Sequence, residues 1–447
     1  MVLILDIGKT NKKCFVFDED YRLVLEQTTQ LPEAIDEDGE PGEDLELLQH
    51  WILSTVREIF HHTRFQIQAV NVTTYGASLI HLDGDGQTRT PLYNYLRAFP
   101  DDLKKQFFSL YGDESTIALE TASPVLGNLN AGLQLYWLKH RKPLIYKQIS
   151  WSMHLPQYVA YFIAQNLTGL RPQLPRYALQ DDITAASEIT SLGCHTLLWD
   201  FGKNDYHAWV KAEGLTGKFP PIKPSNATIP ITNNQYPNNQ LPIIQTGIGL
   251  HDSSAALIPY LAYFDEPFLL LSTGTWCISL NPFNDEPLTA DELKQDCLCY
   301  LSYQGRPVKA ARYFGGPEHD QGVQQLAAQF GVAEDFYRTA DLSLGSELAA
   351  GYRRLLDRLM VKQAHSIRLA LGASPVRRIF VDGGFAKNEL YLALLASAFP
   401  NMEVFSAEVA QATALGAALA IHAGWNPKPL PPSLISLKKY PAPRPCS

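Results

Sequence analysis

Twice in this chain two short apolar runs meet at a glycine turn, and that repetition limits its folds more than any other feature. Residues 1–20, MVLILDIGKTNKKCFVFDED, read as a hairpin around Gly8, and residues 268–282, FLLLSTGTWCISLNP, as a second around Gly274. Aligning the glycines sets Asp-Ile-Gly-Lys-Thr over Ser-Thr-Gly-Thr-Trp and hints at two related lobes, one opened by each hairpin. A length of 447 residues leaves room for two or three domains. Strand patterns at 2–6, 12–18, 69–73, 78–82, 243–247, 268–272, 276–280 and 378–382 alternate with helical patterns at 127–142, 152–166, 346–371, 388–399 and 408–423. Strands and helices mixed in both halves predict an α/β architecture. The Pro- and Asn-rich stretch 219–242 marks irregular chain near a boundary, and the Pro-rich tail from Asn426 reads as an extended strap.

Composition removes several classes. The chain is 46% hydrophobic and 19% charged, enough apolar material for more than one core, so it is neither disordered nor collagen-like. A net charge of −9 offers no basic field to nucleic acid or to an anionic membrane, and neither is expected as a partner. No run approaches the roughly 18 apolar residues of a spanning helix, and Asp6 interrupts an N-terminus with no basic leader. Six cysteines, at 14, 194, 277, 297, 299 and 446, lack any framework spacing and read as reduced thiols of a cytoplasmic protein.

Each motif by itself admits a structural and a chemical role. Gly8-Lys9-Thr10 is not a P-loop, because Leu3 stands where that loop needs its first glycine and a strand follows instead of a helix. What remains is either a plain solvated hairpin or a tight turn whose N–H groups, with Thr10, Asn11, Lys12 or Lys13, face a polyphosphate. Asp6, at the strand end, is then placed to hold Mg²⁺ directly or through water. Thr273-Gly274-Thr275 is a second turn of that kind, with hydroxyls able to donate to phosphate oxygens. In Thr246–Leu257, a Gly-rich turn delivers His251-Asp252 to the start of an Ala-rich helix. Asp252 is either a helix cap or a carboxylate poised to take a proton from a hydroxyl. Gly383-Gly384 between a strand and a helix lets backbone approach a planar ring or a phosphate, with Asn388 placed to bond a nucleotide. Tyr75-Gly76-Ala77-Ser78 lies between two short strands, either as a plain loop or facing a small polar substrate.

Taken together, two phosphate turns, an acid beside a metal position, Asp252 and a Gly-Gly nucleotide edge are the parts that phosphoryl transfer from ATP requires. Over residues 2–425 the ordered set resembles the FGGY family of carbohydrate kinases. Asp-Ile-Gly-Lys-Thr-Asn-Lys-Lys is similar to its first phosphate turn, Ser-Thr-Gly-Thr-Trp to its second, and Asp-Gly-Gly-Phe-Ala-Lys-Asn to its adenosine segment. Gly-Leu-His-Asp-Ser-Ser-Ala-Ala resembles the segment of its catalytic base, and Ala-Thr-Ala-Leu-Gly-Ala-Ala its closing helix.

The resemblance implies a duplicated, two-lobed actin-like (ribonuclease H-like) α/β fold with ATP and sugar in the interlobe cleft. The implied division is 1–245 for a sugar-binding lobe, 246–425 for a nucleotide-binding lobe and 426–447 for the strap, with a homodimer possible. The N-terminal turn and the His-Asp pair look nearest to L-rhamnulose and L-fuculose kinases, which move the γ-phosphoryl of ATP to a primary hydroxyl of a ketose. The resemblance assigns the base to Asp252, Mg²⁺ to Asp6 and Asp252, and the sugar to Tyr75, Gly76, Ser78, His251 and Asp252. It assigns the nucleotide to Gly8, Thr10, Asn11, Lys12, Thr273, Gly274, Thr275, Gly383, Gly384 and Asn388. Two departures stand out. Ser78 replaces an acid common in relatives, and 283–375 is trimmed, with Arg312 and Gly315–Asp320 as candidate substitutes for lost contacts. The competing readings are an actin- or chaperone-like ATPase, which has no need of His251-Asp252, and a sugar sensor that has lost transfer.

Overall fold

The computed structural model describes residues 1–170, 185–231, 243–339, 346–409 and 411–441. The proposed boundary stretch lies partly outside them, at 232–242, as does Cys446. Two compact units emerge. The first comprises Met1–Pro259, Tyr300–Arg306 and Ala410–Pro432; the second comprises Tyr260–Cys299, Pro307–Val409 and Ser433–Ser447.

The first unit is built on a sheet that is seven-stranded among the described residues. Its centre is β1 (Val2–Ile7), antiparallel to β2 (Lys12–Phe17), which in turn pairs with β3 (Leu23–Thr29). On its other side β1 runs parallel to β4 (Ala69–Thr74). Beyond β4 lie β6 (Ile244–Gly247) and then the edge strand β5 (Thr228–Ile231). The short strand Leu250–His251 also pairs with β4. β1 is apolar on both faces because both are covered, as an inner strand beside a parallel neighbour requires.

One cover is α1 (Leu45–His61), which buries Leu45, Leu48, Ile52, Val56 and Ile59 at helical spacing and is capped by Asp44 accepting from the Leu47 N–H. With α2 (Leu155–Leu170) it closes a core containing Leu3, Leu5, Val70, Val72, Tyr158 and Ile163. Each such side chain, fully buried, contributes about 1.5–3 kcal/mol. A further apolar cluster of this unit gathers Phe107, Tyr136, Leu198 and Trp209.

The unit also claims residues that the sequence division gives to the second lobe. The helix Ala412–Ala420 packs with the first unit because Asn71 Nδ2 donates to the Ala417 carbonyl. Gly416 also approaches Ala255 so closely that a methyl there would meet its carbonyl oxygen at 1.9 Å.

The second unit repeats the plan. After α3 (Asp252–Tyr263), β7 (Phe268–Thr273) is antiparallel to β8 (Cys277–Asn281). β9 (Cys297–Leu301) and β10 (Pro307–Tyr313) extend the β8 side. α4 (Gly315–Phe330) and α5 (Glu347–Leu371) follow. β11 (Arg378–Gly383) lies parallel to β7, α6 (Glu389–Ala398) follows it, and β12 (Glu403–Glu408) and β13 (Ser436–Tyr440) complete the sheet. α5 buries Tyr352, Leu355, Leu356, Leu359 and Ile367 along one face. In both units a hairpin's first strand has a parallel neighbour ending level with the hairpin turn. The duplication hinted at by the aligned glycines is therefore visible as topology. The Pro-rich tail supplies the edge strand β13, and no described helix is long and apolar enough to cross a membrane.

Candidate functional site

In the first unit, register sets out the site. Asp6 lies level with Thr73 and Ile7 with Thr74, while Leu250 and His251 pair with Thr73 and Thr74 from the other side. Three chain segments therefore end together at the carboxyl edge of the parallel strands, where α/β sheets place their ligands. Asp252, the next residue, leaves that edge at the start of α3 within electrostatic reach of Asp6.

Both carboxylates are perturbed. Burial, and then the charge of Asp252, push Asp6 up to about 7 against the opposing pull of Lys13. The Asp252 side chain is 35% exposed, but the protein packed around it raises it to about 6 against hydrogen bonds from Ser253. The cap reading of Asp252 does not take its usual form. Oδ1 accepts the N–H of the next residue, Ser253, at 2.6 Å, where a cap takes an N–H two or three residues on. Two carboxylates, each raised chiefly by desolvation, are an oxygen donor set that a hard divalent cation satisfies, and Mg²⁺ commonly binds through one or two carboxylates plus phosphates.

Asp6 therefore has a stability signature. A carboxyl raised in the folded state favours folding below its ordinary pKa near 3.8, and that contribution is lost as pH rises through about 7. Asp6→Asn is expected to raise the melting temperature at pH 8 without divalent cation, with the gain shrinking toward pH 4. Thermal melts across that range test it, and parallel curves for the two proteins would refute it.

His251 is held neutral, its imidazole lowered by burial to about 3. Its Nε2 lies 2.9 Å from Cys194 Sγ and 3.2 Å from Asp252 Oδ1, so the His251–Asp252 contact is a dipole against a carboxylate and not an ion pair. Gly76 makes this possible. A methyl there would come within 2.9 Å of His251 Nε2 and 3.3 Å of Cys194 Sγ. Sequence reading treats Cys194 as an idle thiol; it stands 57 residues from His251, and only the fold joins them. All five described cysteines are buried and unbridged.

Other residues of the sugar loop turn inward. Tyr75 is 9% exposed and donates its hydroxyl to Glu43 Oε2 at 2.5 Å, while Ser78 is 2% exposed with its hydroxyl against the Tyr75 phenol. A residue that sequence reading overlooks stands nearby. Tyr95 is partly exposed, its ring 5.7 Å from that of Tyr75 and its phenol raised by burial and then by the charges of Asp252 and Glu43. The bridge between Glu43 and Leu92 brings its loop there.

The hairpin turn divides its candidates. Gly8 closes it by donating to the Asn11 carbonyl at 2.9 Å, and Thr10 is exposed. The Asn11 side-chain oxygen accepts from Gln30. Lys12 points the other way from the expectation of a phosphate contact. Neighbouring strand residues face opposite sides, and Lys12 takes the buried side at 2% exposure while Lys13 is partly exposed, paired across the hairpin with Asp6.

In the second unit, Gly274, Thr275 and Trp276 are exposed at the turn, whereas the Thr273 hydroxyl is taken internally. It donates to the Asp382 carbonyl at 2.5 Å and accepts the Phe385 N–H at 3.0 Å, bolting the hairpin turn to the Gly383-Gly384 turn. Gly383 has φ +87°, and a methyl on it would stand 1.9 Å from the Thr273 carbonyl oxygen; Gly384 faces open space. Asn388 caps α6 through the Tyr391 N–H and donates to the Tyr352 hydroxyl, so its side chain is engaged within the protein. Gly315-Gly316 begins α4 against the Gly274-Thr275 backbone, where a methyl on Gly316 would meet the Gly274 oxygen at 2.5 Å. Arg312 pairs with Asp296 and lies over the Trp276 ring.

The model for the N-terminal domain of the FGGY family of carbohydrate kinases matches residues 1–259. Two models for FGGY C-terminal domains match 265–344 and 312–425. No curated protein matches the chain in sequence. Among solved structures, a carbohydrate kinase from Novosphingobium aromaticivorans is similar with TM-score 0.76 at 24% identity, over 99% of this chain and 94% of that one. The xylulose kinase from Rhodospirillum rubrum is similar with TM-score 0.77 at 14% identity, over 99% and 94%. The glycerol kinase from Plasmodium falciparum, solved with ADP, follows at TM-score 0.69 and 16% identity, over 95% and 90%. These likenesses carry the fold, and the family models carry the assignment: the chain belongs to the FGGY family of carbohydrate kinases.

Proposed function

We propose that this ATP-dependent sugar kinase phosphorylates a primary hydroxyl of a ketose, with Asp252 as the general base. The observation that supports this most directly is a carboxylate raised to about 6 beside a neutral, buried imidazole at the carboxyl edge of the sheet. Such a group is mostly ionised at neutral pH yet basic enough to take a proton from the attacking hydroxyl. Asp6 and Asp252 would hold Mg²⁺, whose role when bound is to offset charge on the transferring phosphoryl group. In the first unit, Lys13, Thr10 and the turn around Gly8 would serve the phosphates. In the second, the exposed Gly274-Thr275 turn would serve phosphates and Gly383-Gly384 the adenosine.

For the sugar, His251 Nδ1 is buried without a hydrogen-bond partner among the described residues, which favours a ligand hydroxyl as its partner. Tyr95 and Gly76 complete the candidate sugar surface. Tyr75 and Ser78 support it from behind, which changes the role given them by sequence. L-Rhamnulose and L-fuculose lead the substrate candidates. A coupled ADP-release assay across deoxyketohexoses, ketopentoses including xylulose, gluconate and polyols including glycerol tests the reading. The expected result is a clear preference for a ketose, with a 1-phosphate product. Turnover confined to gluconate or polyols would overturn it.

A further inference from the structure

The Lys12 ammonium is buried against three groups. It donates to the Gly8 carbonyl at 3.1 Å and the Lys9 carbonyl at 3.0 Å, and it forms an ion pair with Glu43 Oε1 at 2.5 Å. Glu43 is itself 6% exposed, at the entry to α1, and its second oxygen accepts the Tyr75 hydroxyl at 2.5 Å. A cation buried this deeply is tolerated only when paired and hydrogen-bonded, and here every partner has a position to hold.

We propose that Lys12, Glu43 and Tyr75 form a buried relay that couples the sugar loop to the phosphate turn, with Lys12 a positioning residue for that turn and not a phosphate ligand. Peptide geometry supplies the reason. In a trans peptide the carbonyl and the following N–H point in opposite directions. Drawing the Gly8 and Lys9 carbonyls inward therefore turns the N–H groups of Lys9 and Thr10 outward, as two neighbouring donors of the kind that cradle an anion. Among the described residues, no backbone carbonyl takes either of these N–H groups. The far end of the relay is the residue immediately before Gly76, which lies so near His251 that an added methyl would come within 2.9 Å of its Nε2. A change at the sugar loop thus reaches the donors of the phosphate turn through two contacts at one carboxylate. The proposal rests on the kinase reading only for the identity of the ligand at each end.

The test is calorimetric titration with Mg·AMP-PNP and, separately, with AMP. Tyr75→Phe removes the hydroxyl that links the loop to the pair, along with its contact to Ser78, and leaves both buried charges paired. The double variant Lys12→Met/Glu43→Leu removes both charges together, because a single removal strands a buried charge. Tyr75→Phe is expected to weaken AMP-PNP by about 3- to 10-fold, and the double variant by about 10-fold or more, while AMP affinity stays within about 2-fold in each. AMP-PNP affinity unchanged in Tyr75→Phe overturns the relay, as does equal weakening of AMP and AMP-PNP. Should the double variant fail to fold, Tyr75→Phe decides the matter alone. A wild-type chain that binds AMP-PNP but phosphorylates no sugar overturns the kinase reading and leaves the relay to be judged by Tyr75→Phe.

Discussion

Asp252→Asn is expected to lower kcat by about 10²- to 10⁴-fold, the usual worth of a positioned general base, while AMP-PNP offered without divalent cation binds it as it binds the wild type. The amide has the shape of the carboxylate and keeps an oxygen for the Ser253 N–H, so the start of α3 should remain as it is. What it loses is the ability to accept a proton. The pH dependence separates this from mere disturbance. In the wild type the base must be ionised, so kcat/KM is expected to fall as pH drops through about 6. The neighbouring imidazole does not titrate in that window, because burial has lowered it to about 3, and the Asp6 carboxyl, raised to about 7, marks a separate and higher step. The residual rate of Asp252→Asn should lack the acidic limb that Asp252 contributes. Wild-type turnover by the variant, or the same limb retained in full, would remove Asp252 from the role of base.

The parts of this site that were legible in the sequence share one property: they are carried by a local signal. Apolar runs broken by glycine mark β1, β2, β7 and β8, and the strand-to-helix junctions at His251-Asp252 and Gly383-Gly384 follow from the residues around them. The helix α1 carries a comparable signal, with Leu48, Ile52, Val56 and Ile59 on one face, and is absent from the expected helices. α4 is hidden for a different reason. It opens Gly-Gly-Pro, which reads as a loop, although proline is well suited to a first helical turn and the glycines are needed for close backbone approach.

What sequence could not supply is long-range pairing. Adjacent lysines in a strand must face opposite ways, but only Glu43, 31 positions on from Lys12, decides that Lys12 is the buried one. Cys194 and His251 meet across 57 residues, and Tyr95 reaches the carboxylates only because its loop is bridged to Glu43. The side chains of Thr273 and Asn388, which the sequence offers to the nucleotide, are bonded within the protein and hold their own turns in shape. On the proposed reading the ligands meet backbone and the more exposed neighbours instead.

That distinction sets the second large effect. Gly383→Ala is expected to abolish measurable AMP-PNP binding, a loss of about 100-fold or more, with a lowered melting temperature. Two independent terms act on this residue. Its φ of +87° is outside the range where a side chain sits comfortably, and holding alanine there costs about 1–3 kcal/mol. The added methyl would also stand 1.9 Å from the Thr273 carbonyl oxygen, well inside contact distance, so β7 and β11 must separate at their ends. Separation breaks the Thr273 hydroxyl bonds to the Asp382 carbonyl and the Phe385 N–H, which join the two turns of the second unit. Gly384→Ala is the control. Its methyl enters open space and strains nothing, so the fold should persist at wild-type melting temperature. If Gly384→Ala keeps its stability but loses nucleotide affinity, the open face beside it is where the ligand lies. Equal nucleotide affinity for Gly383→Ala and the wild type would show that the two turns bind independently, against the role given to the Thr273 hydroxyl.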